Sequence, residues 1–217
     1  MRSRAGSHFG RGAKRILDLM ASVVALALLS LPFATVALVI KLDDRGPVFF
    51  RQERAGKGSR VFRVWKFRTM IVDAVSKGLG VTVAEGDERI TRVGRILRGS
   101  GIDELPQILN VLVGEMSLVG PRPTLAYQVE LYDDAQRRRL DVRPGITSLA
   151  VVAGRNTLLW VERIKLDVWY IDHWSLGLDL RILLRTLWCV LVTREGLYGT
   201  GGVNDPFVDP PGDAGRT

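Results

Sequence analysis

Cysteine is almost missing from these 217 residues: Cys189 stands alone, which rules out an internal disulfide and fits a reducing compartment. Histidine is nearly as scarce. His8 and His173 are the only two, and neither has a partner motif that would make it a metal ligand or a catalytic base. Acidic side chains are outnumbered, 23 against 31 Lys and Arg, for a formal net charge of +8 and a pI near 10.1. That balance implies a polyanionic partner: nucleic acid, acidic phospholipid headgroups or a phosphorylated substrate. Long apolar segments number only one, which excludes a polytopic membrane enzyme. What is present in quantity is hydrophobicity, at 47% of residues with a mean hydropathy of +0.12. Those values are high for a soluble enzyme, and the length suits one domain with at most a small appendage.

The apolar run is Ile16 to Ile40, 25 residues with one charge, Asp18. As a continuous helix it reaches about 37 Å, enough to cross a hydrocarbon core of roughly 30 Å. It is too long for a signal peptide, and no small-residue cleavage site follows it. Both flanks are basic. Residues 1–15 hold Arg2, Arg4, Arg11, Lys14 and Arg15 with no acid, and residues 41–68 hold nine Lys or Arg against three acids, a net of +6. Positive flanks favour the cytoplasmic side, so both ends claim the same face. Within the run, Ser30-Leu31-Pro32 predicts a break, because proline removes a helical hydrogen bond and a serine hydroxyl can satisfy a freed carbonyl. The arms of 16 and 8 residues would be about 24 and 12 Å long, and neither alone crosses the core. A re-entrant helical hairpin that enters and leaves by one leaflet satisfies both facts. A kinked transmembrane helix is the alternative.

Past this segment, Gly46-Pro47 opens a predicted β-hairpin: Val48-Phe49-Phe50, a turn at Ala55-Gly56-Lys57-Gly58-Ser59, and a return from Val61 to Arg68. Alternation puts Trp65 and Phe67 on one face, Lys66 and Arg68 on the other. Two such cations could hold a diphosphate; a solvated or headgroup-facing strand would explain them too. Residues 71–89 show no periodicity and read as a mobile connection. Ile90, Val93, Ile96 and Leu97 have helical spacing up to Gly99-Ser100-Gly101. The next helix is expected to start at Asp103 or Glu104, with Pro106 in its first turn. A carboxylate there meets unpaired backbone donors and the positive end of the helix dipole, so its ionised form is favoured. Nearby Arg98 and Arg122 push the same way. Such an aspartate can act as a nucleophile or as a ligand for Mg²⁺, an ion that prefers one or two carboxylates with phosphate oxygens and water.

Five strings stand in one order and spacing: Lys66-Phe67-Arg68-Thr69-Met70, Leu97-Arg98, Asp103-Glu104-Leu105-Pro106-Gln107, Met116 through Pro123, and Arg143-Pro144-Gly145-Ile146-Thr147. In these, from about Lys14 to Leu197, the chain resembles the bacterial sugar transferases, the monotopic polyprenyl-phosphate phosphoglycosyl transferases, in their short form. The resemblance implies transfer of a sugar-1-phosphate from a UDP-sugar to undecaprenyl phosphate, releasing UMP. It implies that Asp103 is the nucleophile and an Mg²⁺ ligand, with Glu104 its orienting partner. Lys66, Arg68, Arg98 and Arg122 would meet substrate phosphates, while Arg143, Arg155 and Asn156 would face the nucleotide sugar. It also implies a re-entrant helix broken at Ser30 and Pro32. The chain departs from the family's pattern at Ser148–Ala153, where Val151 replaces a glutamine and Ala153 a polar residue. That departure bears on sugar recognition and leaves the dyad intact.

The expected fold is α+β, mainly helical: a membrane-associated monotopic enzyme with a re-entrant hairpin, a short β-hairpin and amphipathic interfacial helices. Residues 1–13 form a basic segment, 14–42 the membrane helix, 43–197 a cytoplasmic catalytic domain and 198–217 a flexible Gly- and Pro-containing tail. Leu125 to Leu140 is expected to be one amphipathic helix, with Arg137-Arg138-Arg139 near its end on a headgroup-facing or solvated side. Leu158–Trp174 and Leu178–Thr193 are expected to be helices whose tryptophans lie at the lipid interface or in the core. The implied location is the cytoplasmic face of the bacterial inner membrane. The implied partners are membrane lipids, UDP-sugar, undecaprenyl phosphate and downstream glycosyltransferases, with no nucleic acid. The competing reading is a catalytically degenerate basic scaffold on anionic lipid. Scaffolding needs positive charge but no paired carboxylates within it.

Overall fold

A computed structural model of the chain describes residues 8–76, 86–154 and 158–189. The first helix, α1 (His8–Asp44), is long and apolar enough to cross a membrane by length and composition. It continues through Pro32, where the sequence predicts a break. Two hydroxyls nearby bond to backbone carbonyls, Thr35 Oγ1 to that of Leu31 (3.0 Å) and Ser30 Oγ to that of Ala27 (2.9 Å). The serine therefore serves Ala27, and Leu28, four residues before the proline, is the carbonyl that Pro32 cannot serve.

Both ends of α1 are tied to the rest of the chain. Near its start, Lys14 Nζ pairs with Asp179 at 2.5 Å. Arg15 donates to the Val111 and Leu112 carbonyls at 2.6 and 3.0 Å. Asp18, the one charge in the apolar run, is buried and accepts from Ser117 Oγ (2.8 Å) and the Leu118 amide (3.2 Å). Near its end, Phe33 meets Phe67 edge to face at 5.2 Å, Ile40 is buried with Phe67 and Leu97, and Asp44 pairs with Arg68. Between the two anchors Val23, Val24, Leu28 and Leu31 are exposed.

The expected hairpin forms as antiparallel β1 (Phe49–Ala55) and β2 (Val61–Phe67), with Phe49 opposite Phe67 and Ala55 opposite Val61. Gly58, at φ 64°, takes the left-handed turn position. Phe62 and Val64 of β2 are buried with Val111 and Met116, while Phe49 stacks on Phe67 and meets Trp65 on the opposite face. The next helix, α2 (Arg92–Ser100), starts two residues later than its apolar spacing predicts. There the Thr91 side chain accepts from the Gly94 amide as an N-cap. Ahead of it, residues 71–89 are more ordered than a mobile connection at their described ends. Asp87 and Arg89 form a buried pair at 2.6 Å, and Arg89 also donates to the Ala74 carbonyl. Residues 77–85 lie outside the described residues.

The helix expected to start at Asp103 or Glu104 starts at Ile108 instead: Ile102–Gln107 is a 3₁₀ turn, and α3 (Ile108–Val113) and β3 (Ser117–Val119) follow it. β3 pairs in parallel with β4 (Gly145–Thr147), Ser117 opposite Gly145 and Val119 opposite Thr147. Two of the strings read from the sequence are thus neighbouring strands. The single helix expected over 125–140 is instead α4 (Ala126–Glu130), α5 (Asp134–Arg137) and a 3₁₀ turn at Arg138–Asp141. The cause is a capping box at Asp133, whose carboxylate accepts from the Gln136 amide while Gln136 Oε1 accepts from its own, so the helix restarts there. The short α6 (Leu149–Ala153) precedes α7 (Trp160–Asp172) and α8 (Leu176–Trp188), the two later helices expected from their Leu, Ile and Trp content. Val119, Tyr170, Ile171 and Ile182 form the core between them. On its outer face α8 leaves Leu180, Leu184, Leu187 and Trp188 exposed. The tail from residue 198 lies outside the described residues.

One close approach sets how α2 sits. A Cβ on Gly94 would overlap the Thr69 carbonyl, which also accepts from the Thr91 amide at 3.0 Å. Gly94→Ala is expected to push α2 off Thr69 and destabilise the protein by about 1–3 kcal/mol, the usual range for overpacking. Gly12→Ala, where nothing lies within 4 Å, is expected to leave the melting temperature unchanged or higher. Thermal melts of the two purified variants check this; equal melting temperatures would refute the packing argument.

Candidate active site

Three elements converge on the Asp103-Glu104 pair. Gly101, at φ 73°, ends α2 and turns the chain into the 3₁₀ turn that carries both carboxylates. Strand β2 brings Lys66, whose Nζ donates to Glu104 Oε1 at 2.7 Å. The loop after β3 brings Arg122, which grips Glu104 with both terminal nitrogens, Nη2 to Oε1 at 2.6 Å and Nη1 to Oε2 at 3.0 Å. Such a two-pronged guanidinium–carboxylate pair fixes orientation as well as charge. Asp103 is 9% exposed, and no hydrogen bond to its carboxylate forms among the described residues. From α2, Arg98 donates from Nε to Thr69 Oγ1 at 2.8 Å and lies near enough to favour the ionised form of Asp103. A cleft of about 220 Å³ opens beside the dyad, lined by Arg54, Lys66, Glu104, Gln107 and Arg122 among others.

The two carboxyls are pushed apart. The expectation that the ionised form of Asp103 is favoured is not met: burial and the charge of Glu104 raise it to about 6, against the pull of Lys66, Arg98 and Arg122. Burial acts on Glu104 too, but Arg122 and Lys66 outweigh it and hold Glu104 well below the usual carboxylate range. Adjacent acids whose environments separate their proton affinities have separate roles. Glu104 is a fixed anion that organises two cations, while Asp103 is the unengaged, more basic carboxylate.

The other sequence-predicted residues are placed as follows. Arg68 shares the face of Lys66 but turns away from the dyad to pair with Asp44 at the end of α1. Arg143 donates from Nε to the Gly114 carbonyl at 2.8 Å, capping α3. Arg155 and Asn156 lie outside the described residues. The arginine run 137–139 is solvated only in part: Arg137 is exposed and donates to the Tyr132 carbonyl, half-buried Arg138 pairs with Asp172, and Arg139 is buried against Asp167. Asp167 and Arg139 are also the residues near the site that sequence reasoning missed. The available signal was an acid, Asp167, on the buried face of α7 with Ile164, Tyr170 and Ile171.

Among the described residues no group of three His, Cys, Asp or Glu could form a protein cage for a metal. Asp103 offers one free carboxylate, whereas both oxygens of Glu104 are taken. That donor set fits Mg²⁺, which keeps waters and is completed by substrate phosphates.

Comparison with known proteins gives the family. Residues 9–193 match the bacterial sugar transferase family. The chain is 44% identical over 200 residues to the uncharacterized sugar transferase EpsL of Bacillus subtilis (strain 168), covering 92% of this chain and 97% of that protein. It is 45% identical over 189 residues to the UDP-glucose:undecaprenyl-phosphate glucose-1-phosphate transferase of Caulobacter vibrioides (strain ATCC 19089 / CIP 103742 / CB 15), covering 83% and 70%. It is 38% identical over 199 residues to the exopolysaccharide production protein ExoY of Rhizobium meliloti (strain 1021), covering 85% and 88%. With α1 marking it as membrane-associated and a carboxylate dyad set among cations, the chain belongs to the bacterial sugar transferase family and is a transferase.

Proposed function

We propose that the protein transfers a sugar-1-phosphate from a UDP-sugar to undecaprenyl phosphate, forming a polyprenyl diphosphate sugar and UMP. The observation that carries this is the division of the dyad: Glu104 holds Lys66 and Arg122, and Asp103 beside it accepts no hydrogen bond among the described residues. The carboxylate of Asp103 attacks the sugar-bearing phosphorus. A phosphorus–oxygen bond to Asp103 forms, the bond to the bridging oxygen breaks, and UMP leaves with that oxygen. The lipid phosphate then attacks the same phosphorus and restores the carboxylate. Both nucleophiles are anions, so neither step needs a base; the work is positioning and charge neutralisation. Lys66, Arg98 and Arg122 supply fixed positive charge to the phosphates. Mg²⁺ bound at Asp103 would add further neutralisation of the diphosphate. The paired, partly buried dyad favours this reading over a degenerate scaffold, which has no use for it.

The membrane reading rests on α1. Both ends of α1, near Lys14 and near Asp44, are tied to the same body of chain and so stay on one side. The re-entrant form is therefore preferred to a span, and it requires the helix, unbroken through Pro32 here, to bend at that proline on entering the leaflet. The active site then lies on the cytoplasmic face of the inner membrane, where UDP-sugars are made. The exposed Leu180, Leu184 and Trp188 of α8 would rest in the interface. The product would pass to glycosyltransferases at the start of an exopolysaccharide or related glycoconjugate.

Purified protein with undecaprenyl phosphate, Mg²⁺ and a panel of UDP-sugars is expected to release UMP with at least one sugar. EDTA should abolish release, and Asp103→Asn should lower it at least about 10³-fold, as loss of a nucleophile does. UMP release that survived Asp103→Asn would remove Asp103 from the mechanism. The pH dependence follows from the raised Asp103: without metal its carboxyl is half protonated at about 6 and becomes unreactive as pH falls further. The acid limb of kcat/KM should therefore shift to lower pH as Mg²⁺ is raised, because a bound cation favours the carboxylate. A pH profile with no acid limb, or one that does not move with Mg²⁺, would contradict this. Finally, cysteine tags at residues 5 and 45 should both react with a membrane-impermeant maleimide only from the cytoplasmic side of oriented vesicles; reaction of the first from the opposite side would establish a span.

A further inference from the structure

Three carbonyls of the Arg122 loop are held from elsewhere. The Pro121 carbonyl accepts from the Gly145 amide at 2.9 Å and the Thr124 carbonyl from the Ala55 amide at 2.8 Å. Between them, the Arg122 carbonyl accepts from Nη2 of Arg139 at 3.0 Å. That same nitrogen lies 2.6 Å from Asp167 Oδ2, and both side chains of the pair are 2% exposed. Nη1 of Arg139 donates to the Tyr132 hydroxyl at 2.7 Å, which in turn donates to Thr124 Oγ1 at 2.9 Å. The guanidinium also lies 5.1 Å over the ring of Trp160.

A buried ion pair is costly to desolvate and by itself is weak support for stability. This one spends its remaining donor on the backbone of the residue that grips Glu104. We propose that Arg139 and Asp167 are positioning residues for the transfer reaction: as a unit they fix the backbone of Arg122, and so set where its guanidinium meets Glu104 and the substrate phosphate. Asp167, two turns into α7 on its buried face, aims Arg139; Arg139 holds the Arg122 carbonyl; neither touches the reacting atoms. The proline on each side of Arg122 limits the loop's own freedom, so the remaining freedom lies in the rotation that the Arg139 contact stops. The proposal rests on the transferase reading above.

The test separates position from stability. Replacing both partners by apolar residues of similar size, Arg139→Met with Asp167→Leu, removes the contact without leaving a buried unpaired charge, so the melting temperature is expected to hold. UMP release is expected to fall about tenfold or more in kcat with Arg122 present, and less than about twofold in an Arg122→Ala background, because coupled residues do not add. Tyr132→Phe, which removes one acceptor from Arg139, should give a smaller loss with the same dependence on Arg122. An equal loss in both backgrounds, or a loss that only tracks the melting temperature, would overturn the positioning role. Amide hydrogen exchange provides a readout that needs no turnover: exchange at Gly145 and Ala55, whose amides donate to the Pro121 and Thr124 carbonyls of the loop, should quicken in the apolar pair while β2 keeps its protection. Unchanged exchange there would overturn the inference as well. Absence of UMP release from the parent protein would instead count against the transferase reading, with the exchange result still deciding the role of the pair.

Discussion

Glu104 is the charge on which the site depends. It sits where the 3₁₀ turn, β2 and the loop after β3 meet, and it gives each of the two cations a reason to be there. Removing it in thought leaves Lys66 and Arg122 facing each other across a partly buried gap, a repulsion that the intermediate dielectric of such a place does little to screen. Their side chains are 18% and 43% exposed, so this is not an ordinary surface contact. With Arg98 added, three cations surround two acids, and a surplus positive charge remains to attract a phosphate.

The geometry around that charge is built largely from backbone contacts made by side chains. Asn110 is the clearest case. Fully buried on α3, it accepts from the Trp65 amide at 3.0 Å and donates to the Arg63 carbonyl at 2.8 Å, filling the place of a neighbouring strand along the free edge of β2. Lys66 follows directly after this clamp, so the strand's register against the dyad turn is set by one amide. Arg15 does comparable work at the end of α3, where it donates to the Leu112 carbonyl and joins the Gly114 amide on that of Val111. Buried polar groups in this fold are mostly connectors between elements.

What the sequence made legible was local. The hairpin was readable from alternation and turn residues, α2 from apolar spacing, and α7 and α8 from their Leu, Ile and Trp content. Asp103, Glu104, Lys66, Arg98 and Arg122 stood out as a dyad among cations, and they do gather in space. What it hid was pairing over distance. Alternation rightly put Arg68 beside Lys66, but nothing near it in sequence announced that Asp44 would claim it. Arg137-Arg138-Arg139 looked like one cationic patch, yet its members have three different partners, of which Asp167 is 28 residues away. The break at Asp133 was legible and went unread: its spacing to Gln136 is a capping signal inside an otherwise continuous apolar pattern.

The contact of Asp18 with Ser117 and Leu118 joins groups 99 and 100 residues apart. During synthesis the first helix is therefore complete long before its carboxylate has anything to accept from, and closing so long a loop is slow. Lys14 waits longer still, for Asp179. A water-soluble fragment made by deleting the apolar helix would leave the ends of α3, the start of β3 and the carboxylate on α8 without their counterparts. The lipid-facing segment is thus also a wall of the catalytic body, and enzyme and anchor are one folding unit.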